Sequence, residues 1–139
     1  MLDTRLCIRV LRDRPAGLRP RFNQAAGWLC ISTIVLTELL HGAARSARPD
    51  EGRRAVEAFA ARLDVLAFDT NAAAHAADIR ADLERRGMPI GGYDVLIAGH
   101  ARSLGLIVVT GNLGEFRRVD GLRSEDWLAD IPPKPPTPP

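Results

Sequence analysis

Short apolar runs separated by helical patterns constrain this chain more than any other feature. Leu106 to Val109 is the clearest: apolar throughout, rich in β-branched residues and preceded by Gly105. Trp28 to Ile31 and Val65 to Phe68 have the same character, and Met1 to Asp3 reads as the end of a very short first strand. Such runs fit strands buried on both faces, as in a parallel sheet. Between them the apolar spacing turns helical. Leu6, Cys7, Val10 and Leu11 predict a helix to about Arg12, broken at Arg14-Pro15-Ala16-Gly17, and a second piece covers Arg19 to Ala26, ended by Gly27. Ser32 or Thr33 caps a helix over Ile34 to Ala44, and Asp50 opens one with Val56, Phe59, Ala60 and Leu63 on its core face. Thr70 caps a long helix with Ala72, Ala76, Ile79 and Leu83 on one face, closed by Gly87 and Pro89. Leu113 to Val119 is irregular or weakly helical, and Leu122 to Leu128 offers an edge strand or a terminal hook. The alternation predicts an α/β fold, a mostly parallel short-stranded sheet with helices on both faces.

Composition limits the function classes. The 139 residues suit one domain, expected over 1–131, with a Pro-rich disordered tail over 132–139. No apolar run is long enough to span a membrane, and Asp3, Arg5, Arg9 and Arg12 interrupt any signal peptide, so a cytoplasmic location with no membrane partner is expected. Cys7 and Cys30 lack metal-ligand spacing and read as small core residues. His41, His75 and His100 are scattered, with no HExxH pattern and no phosphate loop. Net charge is only +2. Lys134 is the sole lysine; the arginines fit either GC-rich coding or a phosphate-binding surface.

Against this frame one carboxylate stands out. Asp94 heads an apolar helix after Pro89, Gly91 and Gly92, and shares a face with Ile97, Ala98 and Ala101. A bare helix start explains an Asp there. Yet in a parallel α/β fold ligands gather at the C-terminal ends of the strands, and other polar residues fall at that rim. Asp3 and Thr4 end the first strand, Glu38 sits in the apolar run Ile34–Leu40, and Thr110, Asn112 and Glu115 follow the last clear strand. Separately, each has an ordinary reading: Asp3 as a helix cap, Glu38 in a solvated stripe, Thr110 and Asn112 as turn residues, Glu115 as a solvated acid. Together, carboxylates in one cleft repel unless a cation neutralises them. Oxygen ligands without Cys or His select Mg²⁺ or Mn²⁺, and the matching chemistry is phosphodiester hydrolysis by a metal-activated water.

Four pieces carry a family resemblance. Met1-Leu2-Asp3-Thr4, Ile31-Ser32-Thr33 through Glu38-Leu39, Gly92-Tyr93-Asp94 through Ala101, and Val109-Thr110-Gly111-Asn112 through Glu115-Phe116 resemble PIN domains. More narrowly, they are similar to the VapC toxins of bacterial toxin–antitoxin pairs, in order and spacing from residue 1 to about Trp127. The resemblance implies a PIN-like three-layer α/β/α sandwich and a metal-dependent endoribonuclease that prefers single-stranded RNA. Its acidic site corresponds to Asp3, Glu38 and Asp94, with Asp3 and Asp94 on the metal and the fourth position filled by Asn112, Glu115 or both. Thr4 and Thr110 orient the carboxylates from behind. It also implies a homodimer, silenced by a VapB-type antitoxin that alone contacts operator DNA. Two positions depart from the pattern: Arg5 and Gly111 stand where the family usually has Asn. The first places a cation beside the metal site; the second removes a polar contact.

Other classes fit less well. A receiver-type signalling domain needs an acidic pair after its first strand and a lysine after its last. A phosphatase with an Asp nucleophile needs a second Asp where Arg5 stands. A catalytically degenerate PIN fold, serving only as an antitoxin partner, differs in lacking metal-dependent cleavage.

Overall fold

The structure is a computed structural model and describes residues 1–25 and 27–128. Parallel pairing organises it. Strand β1 (Cys30–Ser32) pairs with β2 (Asp64–Leu66), setting Cys30 opposite Asp64 and Ser32 opposite Leu66. Strand β3 (Val108–Thr110) pairs with β4 (Ser124–Asp126), setting Thr110 opposite Asp126. Residues 1–3 join the two halves. Leu2 bridges Val109 in parallel, its N–H donates to the Cys30 carbonyl (2.9 Å), and the Val109 N–H donates to the Met1 carbonyl (2.8 Å). Across the molecule the order is β2, β1, residues 1–3, β3, β4. The segment earliest in sequence lies in the middle, so the chain turns to opposite sides on leaving it. That reversal makes a topological switch point between Asp3 and Thr110.

Helices α1 (Thr4–Arg12), α2 (Leu18–Gln24), α3 (Thr33–Ala44) and α4 (Pro49–Ala60) precede β2. Helices α5 (Thr70–Arg85) and α6 (Gly92–Ser103) follow it, and the short α7 (Leu113–Phe116) follows β3. Leu2, Ile31 and Val108 are fully buried, with Leu6, Val35, Ile97 and Phe116 closing over them. Phe22 stacks on Phe59 with ring centroids 5.1 Å apart. Ala72, Ala76, Ile79 and Leu83 form the buried face of α5, as their spacing predicts. Gly99 lets α6 approach that face closely: a Cβ there would lie 2.5 Å from the Ala76 nitrogen. Cys7 and Cys30 are free and buried, as expected.

Several local expectations change. Trp28 is 91% exposed, because the strand begins only at Cys30 and the indole lies in the preceding turn. Asp69, not Thr70, caps α5, its carboxylate accepting from the Ala72 N–H at 2.9 Å. Leu63 lies past the end of α4 and is half-buried. The expected Pro-rich tail over 132–139 lies outside the described residues. Among the described residues no helix is long and apolar enough to cross a membrane.

Candidate active site at the switch point

Asp3 sits where residues 1–3 turn into α1, and it serves the backbone and the rim at once. One carboxylate oxygen accepts from the Leu6 N–H (2.9 Å), capping α1; the other accepts from the Thr110 hydroxyl (2.5 Å). The side chain is almost wholly buried. Burial pushes its pKa up, while the Thr110 hydroxyl, the Leu6 N–H and the charges of Arg5 and Arg9 pull it down. The Thr110 hydroxyl also accepts from the Asn112 N–H at 2.9 Å, so it locks the turn after β3 to the acid.

Asp94 lies in the first turn of α6, half-buried. Its pKa is pushed up to about 7, first by burial, then by a hydrogen bond and charge repulsion from Glu115, with Asp3 adding to the repulsion. Glu115 moves down, chiefly because it accepts the proton that Asp94 keeps. The bare backbone of Gly91 leaves room for this arrangement, since a Cβ there would stand 3.3 Å from an Asp94 carboxylate oxygen. The Oε2 atom of Glu115 is buried with no hydrogen-bond partner in the protein. Read alone, Glu115 is a solvated acid; α7 instead turns it inward against α6.

The remaining candidates fall around this core. Glu38, half-buried on α3, accepts from the Thr4 hydroxyl, so it joins the rim through the residue after Asp3. Asn112 is exposed and caps α7, its side-chain oxygen accepting from the Gly114 N–H at 3.3 Å. The expected convergence is therefore partial. Asp3, Asp94 and Glu115 lie in one another's company, Glu38 stands at one remove, and Asn112 faces its own turn. Among the described residues no three His, Cys, Asp or Glu side chains are arranged to hold a metal ion. The donor set still suits a hard cation: a buried unpartnered carboxylate oxygen beside a carboxyl that resists ionising is what a divalent ion relieves.

Both departures from the family pattern have a structural setting. The charge of Arg5 favours ionisation of Asp3, Asp94 and Glu115 alike, so it stands beside all three. At Gly111 a Cβ would fall 2.5 Å from a Leu128 methyl, so a larger residue requires that side chain to move.

Sequence reasoning missed one pair. His100 and Ser32, both buried, meet with Nδ1 and Oγ 2.8 Å apart, and Ser32 Oγ also accepts from the Ile34 N–H at 3.1 Å. One hydroxyl thus caps α3, which carries Glu38, and holds α6, which carries Asp94. Burial pulls the His100 pKa down, in keeping with a neutral ring. Phe68 meets the ring edge-on at 5.6 Å.

The PIN domain family model matches residues 1–122. The chain belongs to the PIN-domain family. Within it the chain groups with the VapC proteins. It is 51% identical to the tRNA(fMet)-specific endonuclease VapC of Shigella flexneri, covering 91% of this chain and 96% of that protein. It is 45% identical to Ribonuclease VapC2 of Haemophilus influenzae, over 92% of this chain and 97% of that one. Among solved structures, the DNA-bound VapBC of Salmonella typhimurium superposes with a TM-score of 0.87 at 51% identity, covering 91% of this chain and 96% of that chain. The α/β class expected from the strand–helix alternation, and the PIN fold that the resemblance implied, are therefore the fold of this chain. PIN nucleases generally depend on a divalent metal.

Proposed function

We propose that this protein is the toxin of a type II toxin–antitoxin pair, a Mg²⁺- or Mn²⁺-dependent endoribonuclease acting in the cytoplasm as a homodimer. The observation that carries the reading is a carboxylate cluster at the switch point: Asp3 buried against the Thr110 hydroxyl, with a buried, unpartnered Glu115 oxygen. Carboxylates gathered this closely repel one another, and a cation between them relieves the repulsion. Asp3 and Asp94 would hold the ion, with Glu115 beside them and Glu38 on the Thr4 side of the rim. Bound there, such an ion lowers the pKa of a water and neutralises charge on a phosphate oxygen. The chain's own residues do the rest. Thr110 and Thr4 hold Asp3 and Glu38 by their hydroxyls. The Ser32–His100 contact keeps the helices of Glu38 and Asp94 together. Arg5 places a positive charge where the scissile phosphate must enter.

The substrate class is RNA, and the name of the Shigella flexneri relative makes the initiator tRNA the first target to try. The partner is a VapB-type antitoxin, which alone carries the complex onto operator DNA. A cavity of about 280 Å³ between α1, α3 and α4 suits its apolar side chains: Ile8, Leu11, Leu39 and Val56 line it, with Glu38 and Arg12 also on its wall. An antitoxin arginine or lysine presented to the acids from that cavity would take the place of the cation.

Chelation tests the proposal. Purified protein should cleave RNA with Mg²⁺ or Mn²⁺, stop with EDTA and recover when the ion is returned in excess. Cleavage that survives thorough chelation overturns the metal assignment, and no cleavage with either ion leaves only the degenerate, antitoxin-binding fold.

A further inference from the structure

The arginines of this chain are disposed in two ways. On α4 and α5, Arg53, Arg80 and Arg86 pair with Glu57, Glu84 and Asp82, and on α6 Arg102 pairs with Asp78. On α1 and the turn after it the pattern stops. Arg5, Arg9, Arg12 and Arg14 are exposed, and none makes an ion pair or a side-chain hydrogen bond among the described residues. Their positions are not scattered. Arg5, Ile8, Arg9 and Arg12 recur at helical spacing on one face, and Asp13, in the left-handed conformation at φ 52°, turns the chain so that Arg14 lines the same hollow. The hollow has a volume of about 380 Å³ and is walled by these arginines and Ile8. One end adjoins the acidic rim: Arg5 acts on Asp3, Asp94 and Glu115, and Arg9 Nε lies 4.0 Å from where a Gly111 Cβ would stand.

Two bland accounts leave part of this unexplained. Arg9 and Arg12 complement the C-terminal dipole of α1, but Arg5 lies in the first turn, where the dipole disfavours a cation. A solvated charged face would tolerate interleaved acids, as α4 and α5 do, yet this hollow has none on its wall. We infer that the arginine face of α1, from Arg5 to Arg14, is the track along which the phosphate backbone of single-stranded RNA enters the acidic site. From Arg5 to Arg12 the face runs about 10 Å along the helix axis, long enough for successive phosphates. Arginine forks bind phosphate oxygens without reading bases, so the track positions the strand while sequence is chosen elsewhere. The inference rests on the nuclease reading above and names how its substrate is held.

The test is the salt dependence of binding. A labelled single-stranded RNA is titrated with the full chain, free of antitoxin and in EDTA, over a range of KCl by fluorescence anisotropy. Each lost phosphate contact should reduce the slope of log Kd against log salt by about 0.7. The triple variant Arg9→Ala/Arg12→Ala/Arg14→Ala should therefore lose about 2 from the slope. Arg53→Ala/Arg54→Ala on α4 should leave it unchanged. Should the triple variant fold poorly, Arg12→Glu alone should still lower the slope and weaken binding at low salt. A slope unchanged in both α1 variants overturns the inference, and so does a loss of antitoxin affinity at constant RNA slope, which assigns the face to the antitoxin. The two readings fail separately: a wild type that binds RNA with a steep, arginine-dependent slope but never cleaves it keeps the track and loses the nuclease, whereas one that cleaves with an arginine-independent slope loses only the track.

Discussion

The outer surface of α4 and α5 and the rim around Asp3 handle charge in opposite ways. On α4 and α5 opposite charges alternate one turn apart, as in Arg53–Glu57 and Arg80–Glu84, with both partners well exposed. Each such pair is worth a few tenths of a kcal/mol, so that surface gains solubility more than strength. At the rim the signs are sorted: Asp3, Asp94 and Glu115 are turned together and inward, while Arg5 and Arg9 stand outside them. Sorting like charges costs stability, since burial and the neighbouring Glu115 push Asp94 toward its protonated form. A fold that keeps such an arrangement without a structural return keeps it for a ligand that supplies the missing charges, a cation for the acids and a polyanion for the arginines.

The contrast is broken most severely at Asp94. Asp94→Asn keeps shape and removes charge, and RNA cleavage should fall by at least about a hundredfold while the protein still folds and pairs. The same variant sharpens the electrostatic side. Wild-type Asp94 holds its proton to about 7 against an ordinary 3.8, so without metal the folded state loses stability as pH rises through that interval. Glu115 is shifted down and gives its contribution in full above its ordinary 4.5, so it does not mask the trend. Thermal melts in EDTA should show the wild-type midpoint falling as pH rises from 3.8 to about 7, and Asp94→Asn should flatten the fall. Cleavage near the wild-type rate by folded Asp94→Asn would return Asp94 to the role of a helix start.

A smaller effect, without any charge, is expected where α6 meets α5. Gly99→Ala drives a methyl into the Ala76 backbone. Backbone cannot swing aside as a side-chain end can, so denaturant melts should lose about 1–3 kcal/mol. Metal-supported cleavage should drop only as folded protein is lost, which separates scaffold from site. The smallest effect belongs to the alternating surface: Arg53→Ala should change stability by about 0.5 kcal/mol or less, and cleavage not at all.

Periodicity carried the sequence reading furthest where one face of one element decides burial. Ala72, Ala76, Ile79 and Leu83 lie as their spacing requires, and Asp94 shares a face with buried Ile97, Ala98 and Ala101. It failed where the outcome depends on a distant partner. Ser32 and His100 are 68 residues apart, and nothing local marks a serine and a histidine as one buried contact. Glu115 looks solvated until α7 is set against α6. Trp28 extends an apolar run in the sequence, but an apolar run does not announce its first ladder residue, and the turn before Cys30 leaves the indole outside. The choice of Asp69 over Thr70 as cap is a one-residue boundary question, decided by which side chain reaches the Ala72 N–H.

Residues 1–3 close the sheet from its middle, and this governs when the acidic rim is complete. Asp3 meets Thr110 across 107 residues of sequence. One Asp3 oxygen finds its partner locally, in the Leu6 N–H of α1, but the other waits for the Thr110 hydroxyl of β3. Helical pieces such as α1 and α5 can form early from local contacts, while the central pairing waits for the far end. An unfinished or prematurely ended chain therefore carries no assembled acidic rim. The acidic rim is complete only once β3 and α7 have joined residues 1–3.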